Sequence, residues 1–277
     1  MFISKNNIIK GKHNKPILLD FGYKITKTQK PIIVFAHGFK GFKDWGHFNK
    51  VMEYFIENDF AFVKFNFSHN GGTIKQPIDL EAFGNNNYTK ELADLKTVID
   101  WVENNNELSD KEIDKQKIYL IGHSRGGGIS ILAAHEDKRI KKLITWAAVA
   151  DLINRYTQQQ MEVWKKEGVI YVANARTKQQ MPLYYQLAED TLKNASRFNI
   201  ESASKKIVIP HLIIHGSADE AVNISEAKKI HQWNKSSSLE IITGAGHTFG
   251  AVHPYTAPNF PKDVQLVLAK TLAFIKQ

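Results

Sequence analysis

Short, mainly apolar runs recur along this chain, several of them apolar at consecutive positions, and helical patterns separate them. The runs fall at 17–19, 31–36, 61–67, 117–121, 142–147, 211–215 and 239–242. A strand with one wet face alternates apolar and polar residues. A strand apolar at every position needs cover on both faces, the usual condition of a parallel sheet. Between the runs, Tyr88, Leu92, Leu95, Ile99 and Val102 form one helical stripe, and Val264, Leu268, Leu272 and Ile275 form another. This alternation predicts the α/β class, with a mostly parallel sheet flanked by helices. A hairpin over 3–25 would add antiparallel strands at one edge.

One segment breaks the rhythm. Residues 151–206 hold no clear strand, while Met181, Tyr184, Tyr185, Leu187, Ala188, Leu192 and Phe198 suggest one or two amphipathic helices. No Gly/Ser linker or repeat marks a boundary, so a single domain is expected over 1–277, with a helical cap inserted at 151–206. The 277 residues, 43% of them hydrophobic, can bury a sizeable core. No stretch reaches the ~18 apolar residues that a membrane span needs. Residues 1–12 lack a signal-peptide core, and a cytoplasmic location is the expectation. The absence of cysteine excludes disulfides, thiolate catalysis and cysteine-ligated zinc. A net charge of +9 invites a nucleic-acid partner, but the lysines are dispersed and arginine occurs only at Arg125, Arg139, Arg155, Arg176 and Arg197. Base readout favours arginine on a concentrated face, so no nucleic-acid partner is expected.

The run 117–121 leads into Gly122-His123-Ser124-Arg125-Gly126, the pattern G-x-S-x-G. A serine at a strained strand-to-helix turn needs small neighbours two residues to either side, which Gly122 and Gly126 supply. A capping serine in a glycine-rich turn would read the same way locally. A serine nucleophile also needs a base, a carboxylate to orient the base, and donors for the oxyanion. Asp219 follows the strand 211–215, and His247 lies in the glycine-rich loop after 239–242. Both fall at the same sheet edge as Ser124, in the chain order Ser, Asp, His. Asp151, after the strand 142–147, is a rival acid. The loop His37-Gly38-Phe39-Lys40-Gly41 after 31–36 offers the Phe39 amide as one oxyanion donor, and the Arg125 amide is the other. His37 is expected to tie loops together. His211 and His215 lack the setting of a metal pair, and "FSHNGG" at 67–72 reads as a surface turn near the site.

"HGFKG", "GHSRGG", "HGSADEAV" and "GAGHTF" together resemble the α/β-hydrolases over nearly the whole chain. Within that superfamily the chain is most similar to the dienelactone hydrolase-like and prolyl-oligopeptidase-like acyl hydrolases, including bacterial cinnamoyl and feruloyl esterases. The resemblance implies eight core strands, a cap after the sixth, and a triad of Ser124, His247 and Asp219. Arg125 departs from it, since Gln, Met or Leu is commoner there. The expected function is cleavage of small-molecule carboxylic esters with short or aromatic acyl groups, through an acyl-enzyme and with no metal or organic cofactor. A peptidase acting on small peptides or arylamides, and a non-catalytic sensor of the same fold, are the alternatives. Trp164, Tyr171, Met181, Tyr184, Tyr185 and Phe198 in the cap are expected to give some of the pocket wall. The sequence does not indicate an oligomeric state.

Overall fold

The computed structural model describes residues 1–174 and 177–277; Ala175 and Arg176, inside the expected cap, lie outside the described residues. In chain order the elements begin with β1 (Phe2–Lys10), β2 (Pro16–Tyr23), β3 (Lys30–Ala36), α1 (Phe48–Glu57) and β4 (Ala61–Phe65). Next come α2 (Leu80–Gly84), α3 (Tyr88–Asn104), β5 (Ile113–His123), α4 (Arg125–Glu136) and β6 (Ile140–Trp146). The expected cap region holds α5 (Gln158–Glu167), β7 (Val169–Asn174), β8 (Gln179–Tyr184), α6 (Gln186–Lys193) and α7 (Ile200–Lys206). The chain finishes with β9 (His211–Gly216), α8 (Ile224–Trp233), β10 (Ser237–Ile242) and α9 (Lys262–Ile275).

Eight strands form one sheet in the order β1-β2-β4-β3-β5-β6-β9-β10. The β1–β2 and β2–β4 pairs are antiparallel, and every later pair is parallel. The consecutive apolar runs are explained by burial on both faces. In β3, Ile32, Val34 and Ala36 enter one core while Ile33 and Phe35 enter the other. In β5, Ile118 and Leu120 separate in the same way from Tyr119 and Ile121. The first core is closed by the apolar stripes of α3 and α4, the second by those of α1 and α9. Asparagine side chains start several helices: Asn87 accepts from the Lys90 amide at α3, and Asn199 from the Ser202 amide at α7.

The insertion leaves after β6, as expected, but it is not all-helical. β7 and β8 form an antiparallel hairpin with Val169 opposite Tyr184 and Val172 opposite Met181. Met181 and Tyr184, which the spacing assigned to a helix, lie in β8, and the helix begins at Gln186. A capping box of Thr157 and Gln160 starts α5. That helix directs Trp164 inward, where the ring is sealed and its Nε1–H donates to the Leu183 carbonyl at 2.8 Å.

Candidate active site

The elbow at Ser124 follows from the packing around it. Ser124 has φ 58° and ψ −123°, a left-handed backbone that a non-glycine residue adopts only under constraint. Its amide donates to the Trp146 carbonyl at 2.9 Å, and its own carbonyl accepts from Gly127 at 3.0 Å. A Cβ at Gly126 would stand 2.3 Å from the His37 carbonyl oxygen. One at Gly38 would stand 2.8 Å from the Ser124 Cβ. Glycine at these two positions is what lets the loop after β3 reach the turn between β5 and α4.

Ser124, His247 and Asp219 meet at the carboxyl edge of the sheet. The His247 ring spans the other two: Nδ1 lies 2.8 Å from Asp219 Oδ2, and Nε2 lies 3.0 Å from Ser124 Oγ. Asp219 is buried, and its Oδ1 accepts the amides of Ala221 and Val222 at 2.9 and 2.8 Å. Burial opposes its ionisation, but hydrogen bonds from His215, His247 and the Val222 amide outweigh this. The carboxyl is held well below the usual carboxylate range. Asp151 is occupied elsewhere: its Oδ1 accepts the Ile153 and Asn154 amides at 2.7 and 3.0 Å in a turn after β6.

The loop after β3, which carries the candidate donor Phe39, is pinned from below. His37 Nδ1–H donates to the Gly38 carbonyl at 2.9 Å, and its Nε2 accepts the Phe67 amide at 3.3 Å, the loop-tying role expected of it. Burial lowers its pKa to about 4, so the ring stays neutral. Further along, the Lys43 amide donates to Asn66 Oδ1 at 2.6 Å, and its buried ammonium reaches Asp20 at 2.9 Å. Phe39 stacks on Phe83 with ring centroids 5.2 Å apart. The Arg125 guanidinium lies 3.8 Å from the Phe39 ring centroid, and its Nη1 is 3.7 Å from Oε1 of buried Glu91 on α3. The unusual Arg125 side chain therefore braces the two residues whose amides are the oxyanion candidates. Neither amide has a protein acceptor among the described residues.

Two flanking histidines have contacts with the candidate triad that the sequence did not suggest. His215 Nε2–H donates to the Val222 carbonyl at 2.8 Å and also faces Asp219 Oδ2 at 3.3 Å. His123 Nε2–H donates to the His247 carbonyl at 3.1 Å, and burial holds its pKa at about 3. Their positions, one before Ser124 and four before Asp219, were the available signal. His211 bonds Thr145 Oγ1 at 3.0 Å and Asn234 Nδ2 at 3.1 Å. Among the described residues no group of three or more potential ligands is arranged to hold a metal.

Ser124 opens into a cavity of about 410 Å³ whose wall includes Phe39, Trp45, Phe48, His123 and His247. Among the described residues the insertion contributes only Asn174. This corrects the expectation of an aromatic roof from the cap. Trp164 and Phe198 are sealed in the core, Tyr171 is 61% exposed, and Tyr185 packs edge-on to Trp164. Tyr184 donates to Glu81 at 2.6 Å and lies over Gly84. Met181 lines a neighbouring cavity instead. Of the segment 67–72, expected as a surface turn, residues 67–70 are buried.

A family model described as BD-FAE matches residues 21–234. The chain belongs to the BD-FAE family. Its α/β-hydrolase fold is shared with solved structures of low sequence identity. The ferulic acid-bound Est1E from Butyrivibrio proteoclasticus is 20% identical with a TM-score of 0.74, over 98% of this chain and 100% of that one. The α/β hydrolase GrgF from Penicillium sp. sh18 is 16% identical with a TM-score of 0.76, over 100% and 98%. In sequence, this BD-FAE chain is 29% identical over 147 residues to an uncharacterized 31.7 kDa Escherichia coli protein from the traX-finO intergenic region. That match spans 50% of this chain and 45% of the Escherichia coli protein, less than half its length. Among the described residues no helix is long and apolar enough to cross a membrane.

Proposed function

We propose that the protein is a serine hydrolase that cleaves carboxylic esters through an acyl-enzyme. One observation carries the reading. A single imidazole bridges a strained serine hydroxyl and a buried carboxylate, at 3.0 and 2.8 Å. Ser124 Oγ attacks the ester carbonyl carbon as His247 Nε2 removes its proton. The C–O bond forms, and the carbonyl oxygen becomes an anion held by the Phe39 and Arg125 amides. Asp219, an acceptor fixed by two backbone amides, keeps the imidazole oriented and stabilises its cation. As the tetrahedral centre collapses, Nε2–H protonates the departing alcohol. Water then attacks the acyl-enzyme by the same route, releasing the acid and restoring Ser124.

The wall around Ser124 supports short or aromatic acyl groups. Phe39, Trp45 and Phe48 offer flat apolar surface, and a volume of about 410 Å³ favours compact substrates. The test is steady turnover of p-nitrophenyl acetate and butyrate, with a lower kcat/KM for laurate. A single stoichiometric burst without turnover, or the best rate on laurate, would count against this reading.

A further inference from the structure

A second Ser, His and Asp cluster lies outside the proposed reaction. Ser68 and His69 follow β4, and Asp94 projects from α3; all three side chains are buried. The Ser68 amide donates to Asp94 Oδ2 at 2.8 Å, and Ser68 Oγ lies 2.7 Å from the same oxygen. Ser68 Oγ is also 2.8 Å from His69 Nδ1. An oxygen that already accepts an amide is best served by accepting the hydroxyl proton too. Ser68 therefore donates to Asp94 and accepts from His69 Nδ1–H. The tautomer is then fixed, and Nε2 is left as a bare acceptor.

That acceptor borders open space. His69 lines a cavity of about 240 Å³ with Phe83 and Met181, and its Nε2 has no partner among the described residues. Lys40, Gly41 and Asn174 line both this cavity and the one containing Ser124. The cations on the wall are already engaged: Lys15 with Asp79 at 2.6 Å, and Lys40 with the Ala173 carbonyl at 3.0 Å. Burial, then the nearby charges of Lys90, His13 and Lys15, lowers the His69 pKa to about 4, so the ring is neutral near pH 7. His69 Nε2 is left wanting a hydrogen-bond donor, beside apolar Phe83 and Met181.

We propose that this cavity is a second substrate compartment, in which His69 Nε2 accepts a hydrogen bond from a hydroxyl on the part of the ester remote from Ser124. The proposal rests on the ester-hydrolase reading and adds a substrate class to it: esters carrying a neutral hydroxyl group. The hydroxyl can be borne by the acyl or the alcohol half, and two matched pairs separate these sources. One pair is methyl 6-hydroxyhexanoate and methyl 6-methoxyhexanoate; the other is 6-hydroxyhexyl butyrate and 6-methoxyhexyl butyrate.

In one pair the wild-type kcat/KM should favour the hydroxyl ester by roughly 3- to 10-fold, the value of one net hydrogen bond. In His69→Phe the ratio should fall to about 1, whereas His69→Gln, which keeps an acceptor oxygen, should retain part of it. Each ratio is taken within one variant, so the folded fraction cancels. No preference in either pair, or a preference that survives His69→Phe, would overturn the compartment. If wild type turned over no ester at all, the ester reading would fall instead. Calorimetric titration would then decide the compartment, using 6-hydroxyhexanoate against 6-methoxyhexanoate and 1,6-hexanediol against 6-methoxyhexan-1-ol. Tighter hydroxyl binding that is lost in His69→Phe supports it, and equal binding sinks it.

Discussion

Ser124, His247 and Asp219 contain the same three residue types as Ser68, His69 and Asp94, connected in a different order. At the sheet edge the imidazole stands in the middle, between hydroxyl and carboxylate. After β4 the hydroxyl stands in the middle, between carboxylate and imidazole. Only the first order lets a histidine withdraw the serine proton. In the second, the serine proton is committed to Asp94, and the histidine presents its far nitrogen outward. The carboxylates differ accordingly. Asp219 gathers amide and imidazole donors that hold it ionised, while burial pushes Asp94 up to about 7, only partly opposed by Ser68. A Ser, His and Asp set is thus a composition; connection and hydration decide what it can do.

The largest test of this contrast is Ser124→Ala, which should lower ester turnover by ~10⁴-fold or more. A fluorophosphonate should label Ser124 and leave Ser68 unmodified, as peptide mass spectrometry would show. Labelling at Ser68 would erase the distinction. Next, Asp219→Asn should reduce kcat by roughly 10³–10⁴-fold, because the imidazole loses its anionic partner and preferred tautomer. Asp151→Asn should cost less than about tenfold, and the reverse ranking would move the acid to the turn after β6.

Asp94 predicts a pH effect of opposite sign to that of an ion-paired carboxylate. Its native pKa is raised, so between about 4 and about 7 the native state keeps a proton that the unfolded state has lost. This penalty on stability grows as pH rises through that window and is constant above it. Asp94→Asn should remove it, gaining on the order of 1–3 kcal/mol at pH 8 relative to pH 4. Unfolding in urea at the two pH values measures the difference. Asp219, with a depressed pKa, contributes stability that is present above pH ~4 and lost as pH falls further. The smallest effect belongs to exposed Tyr171: Tyr171→Ala should change stability by under ~0.5 kcal/mol and leave the ester ranking intact. A changed ranking would return the insertion's aromatic residues to the pocket.

The sheet and the elbow could be read from the sequence because each rests on a local, strict condition. Strands covered on both faces must be apolar at most positions, and the turn at Ser124 tolerates no side chain at Gly38 or Gly126. The insertion obeys no such condition. In β8, Pro182 and short length conceal the strand, and Met181, Tyr184 and Leu187 mimic helical spacing although a strand ends and a helix begins within it. Its aromatic residues looked available for a ligand because burial against the core, as at Trp164 and Phe198, is a tertiary fact. "FSHNGG" misled for the opposite reason. Its glycines suggested a wet turn, while the partner that buries Ser68 lies 26 residues away on α3.

The hydrogen bond from Lys40 to the Ala173 carbonyl joins the residue after Phe39 to the end of β7. It makes the β7–β8 hairpin a lever on the loop that carries the candidate oxyanion donor Phe39. In the proposed mechanism, a substrate bulky enough to lift the hairpin would pull on the Phe39 amide at the moment the oxyanion forms. Such strain falls on the transition state more than on ground-state binding. Oversized substrates should therefore be rejected through a lower kcat, with KM little changed.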